Sequence, residues 1–366
     1  MEKIKRFFEC LLPVTVCNLK CSYCYVIQRN NRKMEIPKLK YSIQQIKNAL
    51  TKERLDGMCF FSICGAGETL VPDYSIDIIR VLLENGHVVN VTSNGTLQNR
   101  INQLVNLDEE YKKRLHISLS FHFNELKRLK LLDKFCENVD KLKKGHVSFV
   151  IQLNLCDEYI EEIEEIKKFS FDHFGAYPQI AATRKENKNL KKIELETEYS
   201  YDEYKKFGNE FNSNLFKYTM KNFNKKRHEF CYAGDWSGCL NFETGVLRKC
   251  YEDIDGQNIF EDVEKPIKFE AIGKNCRSSY CFNSSHFMSL GVIPNIDKDI
   301  TYAFLRNRSE AEWYTDYMKE LLNQKLADNN ELYSTNKKRW ITFKNKNVIF
   351  YKRVKRKLKR IIHNEE

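Results

Sequence analysis

Along residues 10–185, short runs of apolar and β-branched residues alternate with stretches whose apolar positions recur at helical spacing. The runs predict strands at Leu11–Val16, Met58–Cys64, His87–Thr92, Leu115–Ser120, Val147–Leu153 and Gln179–Ala182. The helical spacing predicts helices at Ser42–Glu53, Asp73–Glu84, Arg100–Leu107, Asn124–Lys143 and Tyr159–Phe169. Asp73 and Asn124 stand where a helix start is capped, and Gly86 and Gly145 follow helix ends. Repeated strand–helix units imply a parallel sheet with helices outside it. Six such units predict an α/β fold, a partial (β/α)6 barrel of TIM type, whose chemistry belongs at the C-terminal ends of the strands.

Beyond the barrel region of 10–185 the pattern changes. Residues 186–228 are rich in Lys, Asn and Glu and read as a linker with one helix near Tyr201–Leu215. A cysteine-rich region covers 229–295, a helical segment 296–336, and a basic amphipathic tail 337–366. In the tail Val348, Tyr351, Val354, Leu358, Ile361 and Ile362 recur at helical spacing, with eight Lys or Arg among residues 346–360. Such a helix reads as a segment for an anionic membrane surface, with Trp340 and Phe343 suited to the interface, or else as a solvated tail.

The length, 366 residues, fits one large domain or two moderate ones, and 42% hydrophobic residues are enough for a core. There is no run of about 18 apolar residues, so no transmembrane helix is expected. The start, Met1 to Arg6, leads into no apolar signal-peptide core, which predicts a cytoplasmic protein, peripheral on the inner membrane face if the tail binds there. The net charge is +11, but residues 337–366 carry 12 Lys or Arg against 2 Glu, leaving the body near neutral. A nucleic-acid-binding body would show a basic face, so no specific nucleic acid partner is expected.

Thirteen cysteines in an apparently cytosolic chain point to metal or redox chemistry more than to disulfides. Cys17, Cys21 and Cys24 form a C-x3-C-x2-C run directly after the first predicted strand. Three thiolates from one loop can hold a [4Fe–4S] cluster and leave one iron open to a small molecule. The competing reading is a zinc knuckle, but those usually begin with C-x2-C or C-x4-C, and no fourth Cys or His follows before Cys59.

This spacing, with Tyr23 just before the third cysteine, resembles the signature of the radical S-adenosylmethionine (SAM) enzymes. The resemblance implies that the open iron chelates SAM and that an electron from the cluster yields a 5′-deoxyadenosyl radical. It also implies the partial barrel. The run Phe61–Thr69 resembles the family's Gly-Gly-Glu stretch, so Gly65, Ala66, Gly67 and Glu68 are expected to hold the SAM amino group, Ala66 standing where a second glycine is commoner. The glycines would let the backbone approach a ligand closely. Ser93 and Asn94, in a Thr-Ser-Asn-Gly-Thr run that also reads as an ordinary turn, are expected at the SAM ribose. Ser118 and Ser120 alternate on one face and are candidates for the SAM carboxylate or ribose; Gln152 and Asn154 share that pattern, and all four also read as satisfied core residues. Tyr23 is placed to lie along the adenine.

The second cysteine group is Cys231, Cys239, Cys250, Cys276 and Cys281, with a Gly245-centred hairpin at Asn241–Leu247. It resembles the SPASM or twitch extensions of radical SAM enzymes, a smaller cysteine-rich domain that carries auxiliary clusters. Cys231, Cys250, Cys276 and Cys281 would saturate one auxiliary [4Fe–4S] cluster, with Cys239 as a substitute ligand; a four-thiolate zinc site suits the same residues. Cys64 and Cys239 are alternatively hydrogen-atom donors, or buried cysteines acting as small hydrophobes. Cys10, Cys59, Cys136 and Cys156 read as core. The stretches Phe269–Gly273 and Phe282–Pro294 resemble a branch found with bacterial cell-surface glycan biosynthesis. His286 there is a candidate proton donor or a structural residue.

The expected function is therefore a radical SAM enzyme acting on a sugar or glycan precursor, with a flavodoxin or ferredoxin as electron donor. A SPASM-type peptide maturase is the alternative, against which the ten residues before the first strand are too few for a peptide-binding domain. Two readings of other classes stay open: a non-catalytic iron–sulfur electron carrier and a zinc-stabilised scaffold.

Overall fold

The computed structural model describes all residues except 186–193, 252, 254, 275, 277, 279, 282 and 348–366. The expected membrane tail thus falls outside the described residues from 348 onward; residues 335–347 are helical, with Trp340 and Phe343 exposed. No helix among the described residues is long and apolar enough to cross a membrane.

Six strands, β1 Arg6–Leu12, β2 Cys59–Gly65, β3 Val88–Ser93, β4 Leu115–Ser120, β5 Ser148–Leu155 and β6 Gln179–Ala182, form consecutive parallel pairs. Helices such as Asp73–Glu84 and Ile163–Phe174 make the crossovers. The sheet is mixed α/β and does not close. Beyond β1 it continues through β7 Ser237–Asn241, parallel to β1, and the antiparallel strands β8 Val246–Arg248 and β9 Gly256–Asn258. The hairpin of the cysteine-rich region is therefore an extension of the barrel sheet.

Several expected boundaries move. The first strand runs over Arg6–Leu12, not Leu11–Val16, because Pro13 has no N–H for the ladder and Val14 N turns back to Leu12 O at 2.8 Å. Pro72, not Asp73, occupies the cap position of its helix, and Asn124 lies inside Phe123–Arg128 instead of capping it. The helix expected over Asn124–Lys143 breaks at Lys130, whose φ is 56°, and that over Ser42–Glu53 breaks at Leu50. The helix expected at Tyr159–Phe169 lies at Ile163–Phe174 and ends on Gly175 with φ 75°. The helix expected near Tyr201–Leu215 is two, Tyr201–Asn209 and Asn214–Asn222. The second packs on the sheet edge: the Ser213 hydroxyl accepts from Ile180 N at 2.9 Å and donates to Gln179 Oε1 at 2.7 Å.

The register sorts the two faces. Phe8, Cys10, Phe61, Ile63, Val89, Val91, Ile117 and Leu119 are buried on the face the helices cover. The other face carries a polar row: Ser62 Oγ donates to Glu9 Oε1 (3.5 Å), Asn90 Nδ2 to Ser62 Oγ (3.1 Å) and Ser118 Oγ to Asn90 Oδ1 (2.8 Å). Cys64, two residues past Ser62, and Cys239, the register partner of Glu9, lie on this inner face. Below the row, Phe7 and Phe60 pack on Phe287 and Tyr302, with ring centroids 5.5 and 5.2 Å apart, so the segment after the last cysteine plugs the N-terminal end.

Candidate functional site

The loop carrying Cys17, Cys21 and Cys24 leaves β1 at its C-terminal end and is docked onto the ends of the next strands. Gly67 N donates to Val14 O at 2.7 Å and Glu68 N to Val16 O at 2.8 Å. The glycines serve this docking. A Cβ on Gly67 would meet Val16 O at 2.2 Å, and one on Gly65 would meet Val14 Cγ1 at 2.4 Å. At both glycines the close approach seen among the described residues is that of the cysteine loop.

Glu68 is 2% exposed, and its carboxylate accepts from Ser93 Oγ (2.8 Å), Asn94 N (2.7 Å) and Leu70 N (3.1 Å). Burial pushes its pKa up and these donors oppose the shift. It thereby fixes the end of β3. From there Asn94 Nδ2 reaches Asn18 Oδ1 at 2.8 Å and Cys17 Sγ at 3.7 Å, while Thr96 Oγ1 accepts from Asn18 Nδ2 at 2.8 Å. Two further groups hold the loop backbone: Glu125 Oε1 accepts from Lys20 N at 2.6 Å, and the Arg32 guanidinium donates to Leu19 O (2.9 Å) and Cys17 O. Tyr23 turns toward β4 and β5, its hydroxyl 2.7 Å from His122 Nδ1 and 3.2 Å from Tyr159 Oη.

Burial pushes the Cys21 thiol up to about 12, with Cys17, Glu125 and Cys24 adding to the shift. Burial also raises Cys17, against donors at its sulfur: Leu19 N at 3.4 Å and Asn94 Nδ2. Among the described residues no three His, Cys, Asp or Glu side chains converge as a single-ion site. The three thiols on one docked loop, with N–H donors aimed at Cys17, suit the thiolates of a cluster.

Of the expected SAM contacts, Ser93, Asn94, Ser118, Glu68 and Tyr23 have their polar atoms engaged within the protein. Ser120 and Asn154, at the ends of β4 and β5, are half-buried on the inner face, and their side chains have no hydrogen-bond partner among the described residues. Ala66 is half-buried between the two glycines. Arg32, His122, Glu125 and Asn18 were not picked out from the sequence. An isolated Arg or Glu on a polar stretch gives no signal until the loop is folded back.

In the second group no three thiols are gathered as a single-ion site among the described residues, but they lie near enough to act on one another. Burial raises Cys231, and Cys250, Cys281 and Cys276 act on it in turn. Cys281 is raised by burial and then by Cys250 and Cys276. Cys239 stands toward the sheet, with Cys250, Glu9 and Cys10 acting on it. The donor chemistry of Cys231, Cys250, Cys276 and Cys281, four thiols, is that of an iron–sulfur ligand set. Cys64 is pushed to about 12 by burial and Glu9. Glu9 also accepts from Asn283 Nδ2 at 3.1 Å and lies 2.8 Å from His286 Nδ1, which ties the segment after Cys281 to β1. Cys10, Cys59 and Cys156 are buried, and Cys136 is half-buried.

No curated protein matches the sequence. Among solved structures, SuiB of Streptococcus suis bound to S-adenosylmethionine is 17% identical over 70% of this chain and 64% of its own, with a TM-score of 0.49. The chain thus spans less than two thirds of the SuiB chain. The anSMEcpe structure with bound AdoMet is 16% identical over 72% of this chain and 80% of its own, with a TM-score of 0.47. Residues 11–170, which hold the end of β1, the three-cysteine loop and strands β2 to β5, match the family model of the Radical SAM superfamily.

Proposed function

We propose that the protein is an enzyme that reductively cleaves S-adenosylmethionine and uses the 5′-deoxyadenosyl radical to take a hydrogen atom from a sugar or a cell-surface glycan precursor. The observation that carries this reading is the docking of the Cys17–Cys21–Cys24 loop onto the strand ends, within the stretch matched by the superfamily model. When bound there, a [4Fe–4S] cluster would pass one electron, received from a flavodoxin or ferredoxin, to the SAM sulfonium and release methionine.

The chain's own residues have separate tasks. Asn94 Nδ2 and Leu19 N–H stabilise negative charge at Cys17, and Arg32 and Glu125 hold the loop. Ser120 and Asn154 offer polar groups to the cofactor at the inner rim. Cys231, Cys250, Cys276 and Cys281 would hold one auxiliary [4Fe–4S] cluster. Cys64 and Cys239 lie on the inner face of the sheet and so suit hydrogen-atom donation there. The sugar assignment is supported by the likeness of Phe269–Gly273 and Phe282–Pro294 to the glycan-associated branch. It is also supported by a cavity walled by amides and hydroxyls, among them Gln152, Thr219, Asn222 and Ser284. The basic tail would keep a lipid-borne precursor near an anionic membrane surface.

The test is anaerobic incubation of reconstituted protein with SAM and a strong reductant, reading 5′-deoxyadenosine by mass spectrometry and iron by chemical assay. Product with about eight irons per chain is expected. Cys21→Ala is expected to abolish cleavage and keep about four irons. Cleavage retained in that variant overturns the assignment. Iron without product favours an electron carrier, and zinc without iron a scaffold.

A further inference from the structure

A cavity of about 180 Å³ opens beside β5 and β6, between the sheet and the segment that follows the last cysteine. Its wall includes Gln152, Asn222, Asn283 and His286 together with two guanidinium groups, Arg184 and Arg306. No aspartate or glutamate is among the described residues that line it.

Arg306 is 1% exposed and differs from the other buried arginines. Arg6 pairs with Asp56 and Asp235. Arg114 donates to Leu83 O and His87 O and lies 3.8 Å from Glu110. Arg308 donates to four backbone carbonyls and lies 4.0 Å from Glu310. Among the described residues Arg306 donates only to Ser285, at its carbonyl (3.1 Å) and hydroxyl (3.4 Å), with its guanidinium 3.7 Å over the Tyr302 ring. Among the described residues its buried Nε has no hydrogen-bond partner and no carboxylate is within ion-pair distance. The cation acting on Cys281 is Arg227, and the Glu9 carboxylate is held by His286 and Asn283. Removing a guanidinium from water without a counter-charge is costly, and the cost is recovered when an anion enters.

We propose that this cavity is the subsite for an anionic group of the substrate, a phosphoryl group carried on a sugar, held by Arg306 in the wall and Arg184 at the exposed rim. A guanidinium fork matches phosphate oxygens in geometry as well as charge. The amide of Gln152 and the hydroxyl of Thr219, which line the same cavity, offer donors and acceptors to sugar hydroxyls. This inference rests on the reading of the protein as an enzyme acting on a sugar-type substrate, and it names the charge that substrate carries.

The test is calorimetric titration of the reconstituted, SAM-loaded protein with glucose 1-phosphate, inorganic phosphate and glucose. The phosphate-bearing probes are expected to bind and glucose not to. Arg306→Gln should weaken glucose 1-phosphate by about tenfold to a hundredfold, the value of one or two charge-assisted hydrogen bonds, and Arg306→Lys by less. Circular dichroism checks that the variants fold. If Arg306→Gln does not, the exposed Arg184→Gln carries the test and should weaken binding at least about threefold. Equal binding of glucose and its phosphate, or unchanged affinity in the folded variants, overturns the proposal. Phosphate binding by wild-type protein that forms no 5′-deoxyadenosine would keep the subsite and refute the radical reading, so the two fail separately.

Discussion

Substituting Gly67 by Ala tests the docking of the cysteine loop most directly. The new Cβ would lie 2.2 Å from Val16 O, 2.5 Å from Thr15 C and 2.7 Å from Thr15 O, all backbone atoms with no flexible end to swing aside. Real Cβ contacts need at least 3.0 Å, so the loop must retreat by about 0.8 Å. That retreat breaks or stretches the bonds Gly67 N to Val14 O and Glu68 N to Val16 O. Two backbone hydrogen bonds are worth about 1–3 kcal/mol together. Gly65→Ala meets a different obstacle, the Val14 Cγ1 methyl at 2.4 Å, while its other neighbours lie at 3.4 Å. Removing that methyl with Val14→Ala should therefore rescue Gly65→Ala, with a coupling of about 1–2 kcal/mol, and leave Gly67→Ala impaired. The assay is iron bound after anaerobic reconstitution, with urea unfolding of the same samples. Both glycine variants are expected to lose iron at the first site. Wild-type iron and stability in Gly67→Ala, or equal rescue of both glycine variants by Val14→Ala, would refute the docking argument.

Three further outcomes follow from the same contacts. Asn94→Ala removes the donor at Cys17 Sγ and the acceptor for Thr96 N (3.1 Å), so stability should fall by about 2–3 kcal/mol and a chelator should strip iron faster; unchanged iron loss would refute its role at the cluster. His87 and His116 are fully buried, and burial lowers their pKa from 6.5 to about 4 and about 3. Their neutral forms belong to the fold, so stability is complete above pH 6.5 and falls as the pH drops toward those values, by about 1.4 kcal/mol per pH unit for each ring. Denaturant titrations at pH 7, 6 and 5 should show that decline, and His87→Gln should remove one ring's share. Cys250→Ala should cut iron by about four per chain while 5′-deoxyadenosine still forms; loss of both would show that the two centres are not separate.

The strand–helix alternation was legible because each strand needs an apolar face against a helix, and that need writes itself into local composition. It placed β4 and β6 at their observed bounds and β2, β3 and β5 within two residues of theirs. It missed β1 because the apolar run past Leu12 continues through Pro13, which cannot pair in the ladder. Nothing local marks the break at Lys130, where a left-handed residue separates two helices with ordinary helix-forming sequences.

At the site, spacing alone singled out the three cysteines as candidate ligands, because ligands carried on one short loop must be close in sequence as well as in space. The partners of that loop come from four places, Gly67, Asn94, Glu125 and Arg32, and only the folded chain brings them together. Glu68 shows the difference well. Its motif marked it as a cofactor contact, and the fold adds that its buried carboxylate, with three donors, braces the β3 end. Arg306 has no motif at all. Its isolation from every described carboxylate is a property of packing, set by which helices close over the cavity, and no pattern along the chain can record it.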